Sequence, residues 1–324
     1  MKHGFLKVAT ASPKLKVADV KYNVEAIKQE IVKAAKAGGE LLVFPELCLS
    51  GYTCGDLFLQ PTLLSACKKA LVEIATFCSE IPTLSFIGLP FSYNGKLYNA
   101  AAAISGGRVL AIIPKTNIPN YAEYNEARYF TPAPKTTEEI EFFGESVPFG
   151  TDVLICDEKD ENVKIACEIC EDLWVANSPC VSHTAAGATV VVNLSASSET
   201  VGKAENRRLL IQAQSHKCCC GYVYADAGKD ESTTDVVFAG HNLVAEKGKL
   251  LAETDLFSGE TVQAEIDVSA IVLDRISTNT FCSDSSKKYI KVYASFTGAG
   301  DLSVRKINPS PFIPACGEQG AKRA

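Results

Sequence analysis

Ile165-Ala166-Cys167-Glu168-Ile169-Cys170-Glu171-Asp172-Leu173-Trp174 is an apolar, strand-like run that stops on a thiol and two carboxylates. Two other stretches share this form. Leu42-Val43-Phe44-Pro45-Glu46 ends on a carboxylate, and Ile112-Ile113-Pro114-Lys115 ends on an ammonium. Continuous apolar runs of strand length suit a sheet covered on both faces. Chemistry in α/β proteins gathers at the C-terminal ends of such strands. A carboxylate base, a cation for an oxyanion and an attacking sulfur, converging there, would support nucleophilic catalysis without histidine. Each residue alone has a plainer reading: a capping Glu, a surface Lys, a core Cys.

Around these runs the chain alternates helices and strands. Phe5–Thr10 reads as a strand and Val20–Ala37 as a helix with Val24, Ile27, Ile31, Val32 and Ala35 on one side. Gly38-Gly39 ends it. Leu41–Phe44 is a strand, Thr62–Ile81 a helix, Leu84–Leu89 a strand. Leu97–Ile104 and Arg108–Ile113 flank Ser105-Gly106-Gly107, a hairpin signal. Val163–Ile169 and Thr189–Leu194 are strands around a helix near Ser178–Ala186. Glu205–Cys219 reads as a helix and Gly221–Ala225 as a strand. Val236–Ala245 and Lys249–Thr254 read as a hairpin, and Val262–Asp267 as a last strand. The pattern is α/β with mixed sheets and no internal repeat. Residues 1–285 read as one domain and 286–324 as an extension and the start of a linker, Pro-rich from Asn308-Pro309-Ser310-Pro311 onward.

The chain has 324 residues, is 47% hydrophobic and 22% charged, and carries a net charge of −6. Such a composition buries a large core and excludes disordered and fibrous classes. No stretch approaches the roughly 18 apolar residues of a membrane span. The acidic balance argues against nucleic acid and anionic membranes as partners. The count of 13 cysteines is odd, and Cys218-Cys219-Cys220 are consecutive. That does not resemble a secreted disulfide framework, so reduced thiols and a cytoplasmic location are expected.

Several motifs lead nowhere. Neither common Gly-rich phosphate loop is present. Ser105-Gly106-Gly107 resembles a pyrophosphate loop but has Val109 where that loop needs Asp. His216 beside Cys218–Cys220 lacks a second ligand cluster at zinc spacing, so no metal is expected. Cys167-Glu168-Ile169-Cys170 is formally Cys-x-x-Cys. On one strand, residues three apart face opposite ways about 10 Å from each other, whereas a disulfide needs Cα atoms within roughly 7 Å. Cys167 is therefore expected in the core, and Cys170 at the strand end as the reactive thiol.

The three strand ends resemble, in the usual chain order, the Glu-Lys-Cys triad of the nitrilase superfamily. Phe44-Pro45-Glu46, Lys115 and Ile169-Cys170-Glu171-Asp172 match its motifs. Longer strings are similar to the amino-terminal glutaminase domains of glutamine-dependent NAD synthetases: Phe44–Phe58 (FPELCLSGYTCGDLF), Ile118–Tyr121, Glu126–Phe130, Asn193–Ser197 and Gly228–Thr234 (GKDESTT). The resemblance runs from about residue 5 to about residue 315. It implies a four-layer α-β-β-α sandwich of the nitrilase type, and glutamine as substrate. It further implies a synthetase domain, in cis or in trans, that would hold ATP and Mg; that domain's Ser-Gly-Gly-x-Asp-Ser loop is not in this sequence. No cofactor is expected for the present chain.

By the same resemblance Cys170 is the nucleophile, Glu46 the base, and Lys115 the cation that lowers the thiol pKa and binds the oxyanion. Glu126 matches the superfamily's second glutamate, expected to orient Lys115; on sequence alone a surface carboxylate is the competing reading. Tyr121, Glu171 and Ser197 look like glutamine-pocket residues. A carboxylate beside the nucleophile can pair with the α-ammonium of an amino acid. Tyr52 is a further pocket candidate, with loop packing as its alternative. A homo-oligomer is expected through Leu173–Ala186. Two alternatives stand: a stand-alone amidase acting on another carboxamide, and a non-catalytic scaffold. Retention of Glu46, Lys115 and Cys170 argues against the scaffold.

Overall fold

The computed structural model describes residues 3–281, 287–296, 298 and 301–310. Seven strands come first: β1 (Phe5–Thr10), β2 (Leu41–Val43), β3 (Leu84–Tyr93), β4 (Lys96–Ser105), β5 (Arg108–Pro114), β6 (Glu138–Phe142) and β7 (Glu145–Phe149). Next are β8 (Val153–Asp157), β9 (Lys164–Ile169), β10 (Val190–Ser195), β11 (Gly221–Asp226), β12 (Leu243–Glu246) and β13 (Lys249–Glu253), and last β14 (Val262–Asp267) and β15 (Ile290–Ala294). One sheet has the order β14-β1-β2-β3-β4-β5-β7-β6 and the other β13-β12-β11-β10-β9-β8-β15. Both mix parallel and antiparallel pairs.

Two helices, α1 (Val20–Lys36) and α2 (Pro61–Phe77), cover the outer face of the first sheet. Val20, Val24, Ile27, Ile31 and Ala34 form the buried stripe of α1. The Asp19 carboxylate caps that helix by accepting from Tyr22 N at 3.1 Å. On the second sheet's outer face lie α3 (Pro179–Ala185) and α4 (Lys203–Lys217), contributing Cys180 and Ile211. Between the sheets Val8, Val43, Phe86, Ile165, Cys167, Val192 and Val223 interdigitate. The result is a four-layer α-β-β-α sandwich. Strand parity shows in β4, where Ala100 and Ala102 face the helices and Ala101 and Ala103 the other sheet.

The structure departs from the sequence reading in several places, among them β8, Val153–Asp157, for which the sequence reading has no strand. Strand β12 starts at Leu243, not Val236: Gly240 has φ +64°, and His241 and Asn242 are buried on polar partners. The hairpin β6–β7 was not read, because Glu138-Glu139-Ile140-Glu141-Phe142 alternates exposed charge with buried Ile140 and Phe142 at a sheet edge. Val262–Asp267 is not the last strand. It is followed by α5 (Val268–Ser277) and then by β15, which pairs in parallel with β8. Strand β15 lies in the range read as an extension, and Ser303 N and Arg305 N donate to the Glu265 carboxylate at 2.7 Å each, so this stretch packs on the sandwich. The rest of the Pro-rich tail, 311–324, lies outside the described residues.

One glycine sets the height of the site. A Cβ on Gly88 of β3 would stand 2.3 Å from Leu47 N and 2.6 Å from Pro45 O. Its absence lets the loop after β2 cross the sheet in contact, with Leu47 at φ +54°.

Candidate active site

The C-terminal ends of β2, β5, β9 and β10 deliver Glu46, Lys115, Cys170 and Ser195-Ala196 to one place between the sheets. Glu46 and Lys115 are fully buried. Lys115 Nζ donates to Glu46 Oε1 and to Glu126 Oε1, at 2.6 Å each. Glu126 sits on a single-turn helix, Glu126–Arg128, and is 4% exposed, so the surface reading of this residue does not hold. Glu46 Oε2 accepts Ala196 N at 2.9 Å, and Glu46 N donates to Ser195 O at 3.3 Å. These bonds tie the carboxylate of one sheet to the backbone of the other.

Cys170 opens the turn after β9 with φ +44°, a strained backbone for a residue with a side chain. Its N–H donates to Asn193 Oδ1 at 3.0 Å. The parity argument assumed that the strand continued through Cys170. It ends at Ile169, and the positive φ brings Cys170 into the same inter-sheet cluster as Cys167. The two thiols still differ: Cys170 feels the charges of Glu46, Lys115 and Glu126, whereas Cys167 feels Glu168 and Asp172. Every cysteine among the described residues is free.

The electrostatics follow from burial. Burial pushes the Glu46 carboxyl up to about 7 even with the Lys115 ammonium beside it pulling the other way. Burial works to lower Lys115, but Glu126 and Glu46 outweigh it and hold the ammonium well above its usual range. The Cys170 thiol is raised well above its ordinary value, first by burial and next by Glu46. Burial thus favours the thiol form of Cys170 and leaves the Glu46 carboxyl titrating near neutrality.

Other expected residues fall nearby in different roles. Tyr52 OH donates to Glu126 Oε1 at 2.8 Å, so its hydroxyl serves the lysine's partner. Its ring also lines a cavity of about 230 Å³ with Phe58, Glu126, Tyr129, Phe130 and Val236. Tyr121 OH donates to the Glu171 carboxylate, at 2.9 and 2.8 Å to its two oxygens; this pair is solvent-exposed. Ser197 is buried; its hydroxyl accepts from Arg207 Nη2 at 3.1 Å and its N–H donates to Asp226 Oδ1 at 2.8 Å.

Sequence reasoning missed three contributors. Asn99 Nδ2 donates to Glu46 Oε1 at 2.6 Å and Glu126 Oε2 at 3.1 Å, bridging the two carboxylates. Its signal was an amide in the otherwise apolar run Asn99-Ala100-Ala101-Ala102-Ala103. Asp172 ties the Cys170 turn to the lysine's loop through Asn117. Lys203 Nζ reaches Ser198 Oγ at 2.6 Å and lies 5.6 Å from the Trp174 ring centroid. Nothing in the sequence distinguishes it from a surface lysine. No group of His, Cys, Asp and Glu suited to a metal occurs among the described residues. Among them, no helix is long and apolar enough to cross a membrane.

The carbon-nitrogen hydrolase family profile matches residues 7–275. The chain belongs to the carbon-nitrogen hydrolase family. Among its relatives is a glutamine-dependent NAD(+) synthetase of Mycobacterium tuberculosis, 35% identical over 97% of this chain and 48% of the relative. The chain spans about half the length of the curated relatives it matches. A solved glutamine-dependent NAD(+) synthetase from Cytophaga hutchinsonii superposes with a TM-score of 0.72 at 32% identity, covering 81% of this chain and 43% of that one. An amidase of the nitrilase superfamily from Nesterenkonia superposes with a TM-score of 0.65 at 18% identity, covering 85% and 96%, a likeness of fold. This carbon-nitrogen hydrolase thus has the two-sheet sandwich of its family.

Proposed function

We propose that this carbon-nitrogen hydrolase removes the side-chain amide of glutamine through a Cys170 thioester, and that the ammonia serves NAD synthesis by an ATP-dependent synthetase unit. The observation that supports the chemistry best is the Lys115 ammonium held between Glu46 and Glu126 beside a thiol on a strained turn. Cys170 sulfur attacks the amide carbon while its proton passes to Glu46. The C–N bond then breaks, and Glu46 returns that proton to departing ammonia. Water, deprotonated by Glu46, cleaves the thioester and restores the thiol. Lys115 stabilises the oxyanion of each tetrahedral intermediate.

The substrate assignment rests on the mouth of the site and on the relatives' names. Glu171, with Tyr121 bonded to it, offers a carboxylate to an α-ammonium. Lys203, near enough for Cys170 to act on its charge, offers a cation to an α-carboxylate. A simple aliphatic amide has use for neither. ATP and Mg would belong to the synthetase unit, and the partner copies of a homo-oligomer would meet through Leu173–Ala186.

The test is amide hydrolysis by the purified chain on glutamine, acetamide and butyramide. Glutamine preference with glutamate and ammonia as products supports the reading. Hydrolysis of the aliphatic amides alone replaces it with the stand-alone amidase.

A further inference from the structure

The segment after β11 grips Tyr52 from several sides. Glu231 is 1% exposed, and its Oε2 accepts Tyr52 N at 2.7 Å. The backbone oxygen of Glu231 accepts the Thr53 hydroxyl at 2.8 Å. Phe238 packs edge-on against the Tyr52 ring, with centroids 5.6 Å apart. Gly51 makes the approach possible: it has φ +82°, and a Cβ there would stand 3.2 Å from Val17 Cα and 3.5 Å from Glu231 Oε2. At its far end Tyr52 OH donates to Glu126 Oε1, the oxygen that also accepts Lys115 Nζ.

Glu231 is an expensive way to hold a tyrosine. Its second oxygen, Oε1, is buried without a hydrogen-bond partner. Leaving a buried carboxyl oxygen unpaired is unfavourable, and an apolar residue in its place would bury no such oxygen. The loop has two sides: Glu231, Val236 and Phe238 point inward, while Thr233, Thr234, Asp235 and Val237 are exposed.

We propose that Glu231 is a positioning residue that fixes the Lys115 ammonium through Tyr52 and Glu126, coupling the surface loop 231–238 to the catalytic centre. The inference rests on the roles given above to Lys115 and Cys170. It predicts that Glu231 and the Tyr52 hydroxyl act as one unit, because they are links of one chain.

A double-mutant cycle tests this. The first readout is the rate of Cys170 alkylation by iodoacetamide, followed on the Cys170 peptide by mass spectrometry; the second is kcat and KM for glutamine. Glu231→Ala and Tyr52→Phe are each expected to slow both alkylation and kcat by about tenfold, with KM little changed. The double variant is expected to be no slower than the slower single one. Glu231→Gln, which keeps an oxygen for Tyr52 N–H, is expected to stay within about threefold of the parent. Thermal midpoints verify folding. Should Glu231→Ala fail to fold, Phe238→Leu takes its place in the same cycle. Multiplying effects in the double variant, or a folded Glu231→Ala at the parent alkylation rate, would overturn the proposal. Alkylation needs no glutamine, so a parent chain inert towards glutamine refutes the substrate reading while the cycle still decides this one.

Discussion

Asp172, two residues past Cys170, accepts both the backbone and side-chain N–H of Asn117, two residues past Lys115, at 2.8 Å each. Its other oxygen accepts Ile169 N at 3.0 Å. One buried carboxylate thus spans two sheets and fixes the distance between sulfur and ammonium. Asp172→Asn keeps a single acceptor oxygen and turns a donor toward the groups that now donate to Asp172. Misplacement on the order of 1 Å costs about 100-fold in rate, so kcat for Asp172→Asn is expected to fall by about 10- to 100-fold. Steady-state kinetics alongside thermal unfolding would check this; an unchanged kcat in a folded variant would show that the bridge has no catalytic role.

As the proposed base, Glu46 is expected to give the activity its acid limit. It works as a base only when ionised, and burial holds its carboxyl at about 7. The kcat/KM profile should therefore fall below about pH 7 rather than below the usual carboxylate range. Stability runs the other way. With the folded value above the unfolded 4.5, the stabilising contribution is fully present below 4.5 and is lost as pH rises through 7. Glu46→Gln should abolish the activity and lessen the fall of the thermal midpoint between pH 5 and 8, with Glu168, Asp226 and Glu231, also raised by burial, supplying the remainder. A limb centred near pH 4.5 contradicts the assignment.

The two thiols of the Cys-x-x-Cys run should separate cleanly. Cys170→Ala removes the attacking sulfur, and the expected loss is about 10⁴-fold or more. Cys167→Ala removes a small core group and should cost about 1 kcal/mol of stability with kcat near the parent value. Equal losses from both folded variants would refute the choice of nucleophile.

Gly88 should prove intolerant although it touches no substrate. Its Cβ would stand 2.6 Å from Pro45 O and 2.8 Å from the Glu46 carbonyl carbon, backbone atoms that must move to admit it. Gly88→Ala is expected to lose about 1–3 kcal/mol by overpacking and about 100-fold in kcat/KM as Glu46 shifts. Denaturant unfolding and kinetics on one preparation would show whether the two losses occur together.

Most strands at the centre of both sheets were legible because fully buried strands are continuous apolar runs. Two edges were not: Glu138–Phe142 and Ile290–Ala294 alternate with exposed polar residues, and β15 pairs with β8, a strand far back in the chain. Glu46, Lys115 and Cys170 could be read because each follows such a run directly. Asp172 and Lys203 could not, since a carboxylate or an ammonium has no local pattern that tells a buried bridge from a wetted surface; Asn99 had only the faint signal of an amide leading an apolar run.

Which side chains stand at strand ends follows from local periodicity and the residue after it. What those side chains do to one another depends on the packing of the two sheets. The 2.6 Å contacts of Lys115 join residues 69 and 11 positions apart in the chain. The raised Glu46 and the turn of Cys170 into the inter-sheet layer arise from packing two sheets face to face, which excludes water from charges that each strand alone would leave solvated.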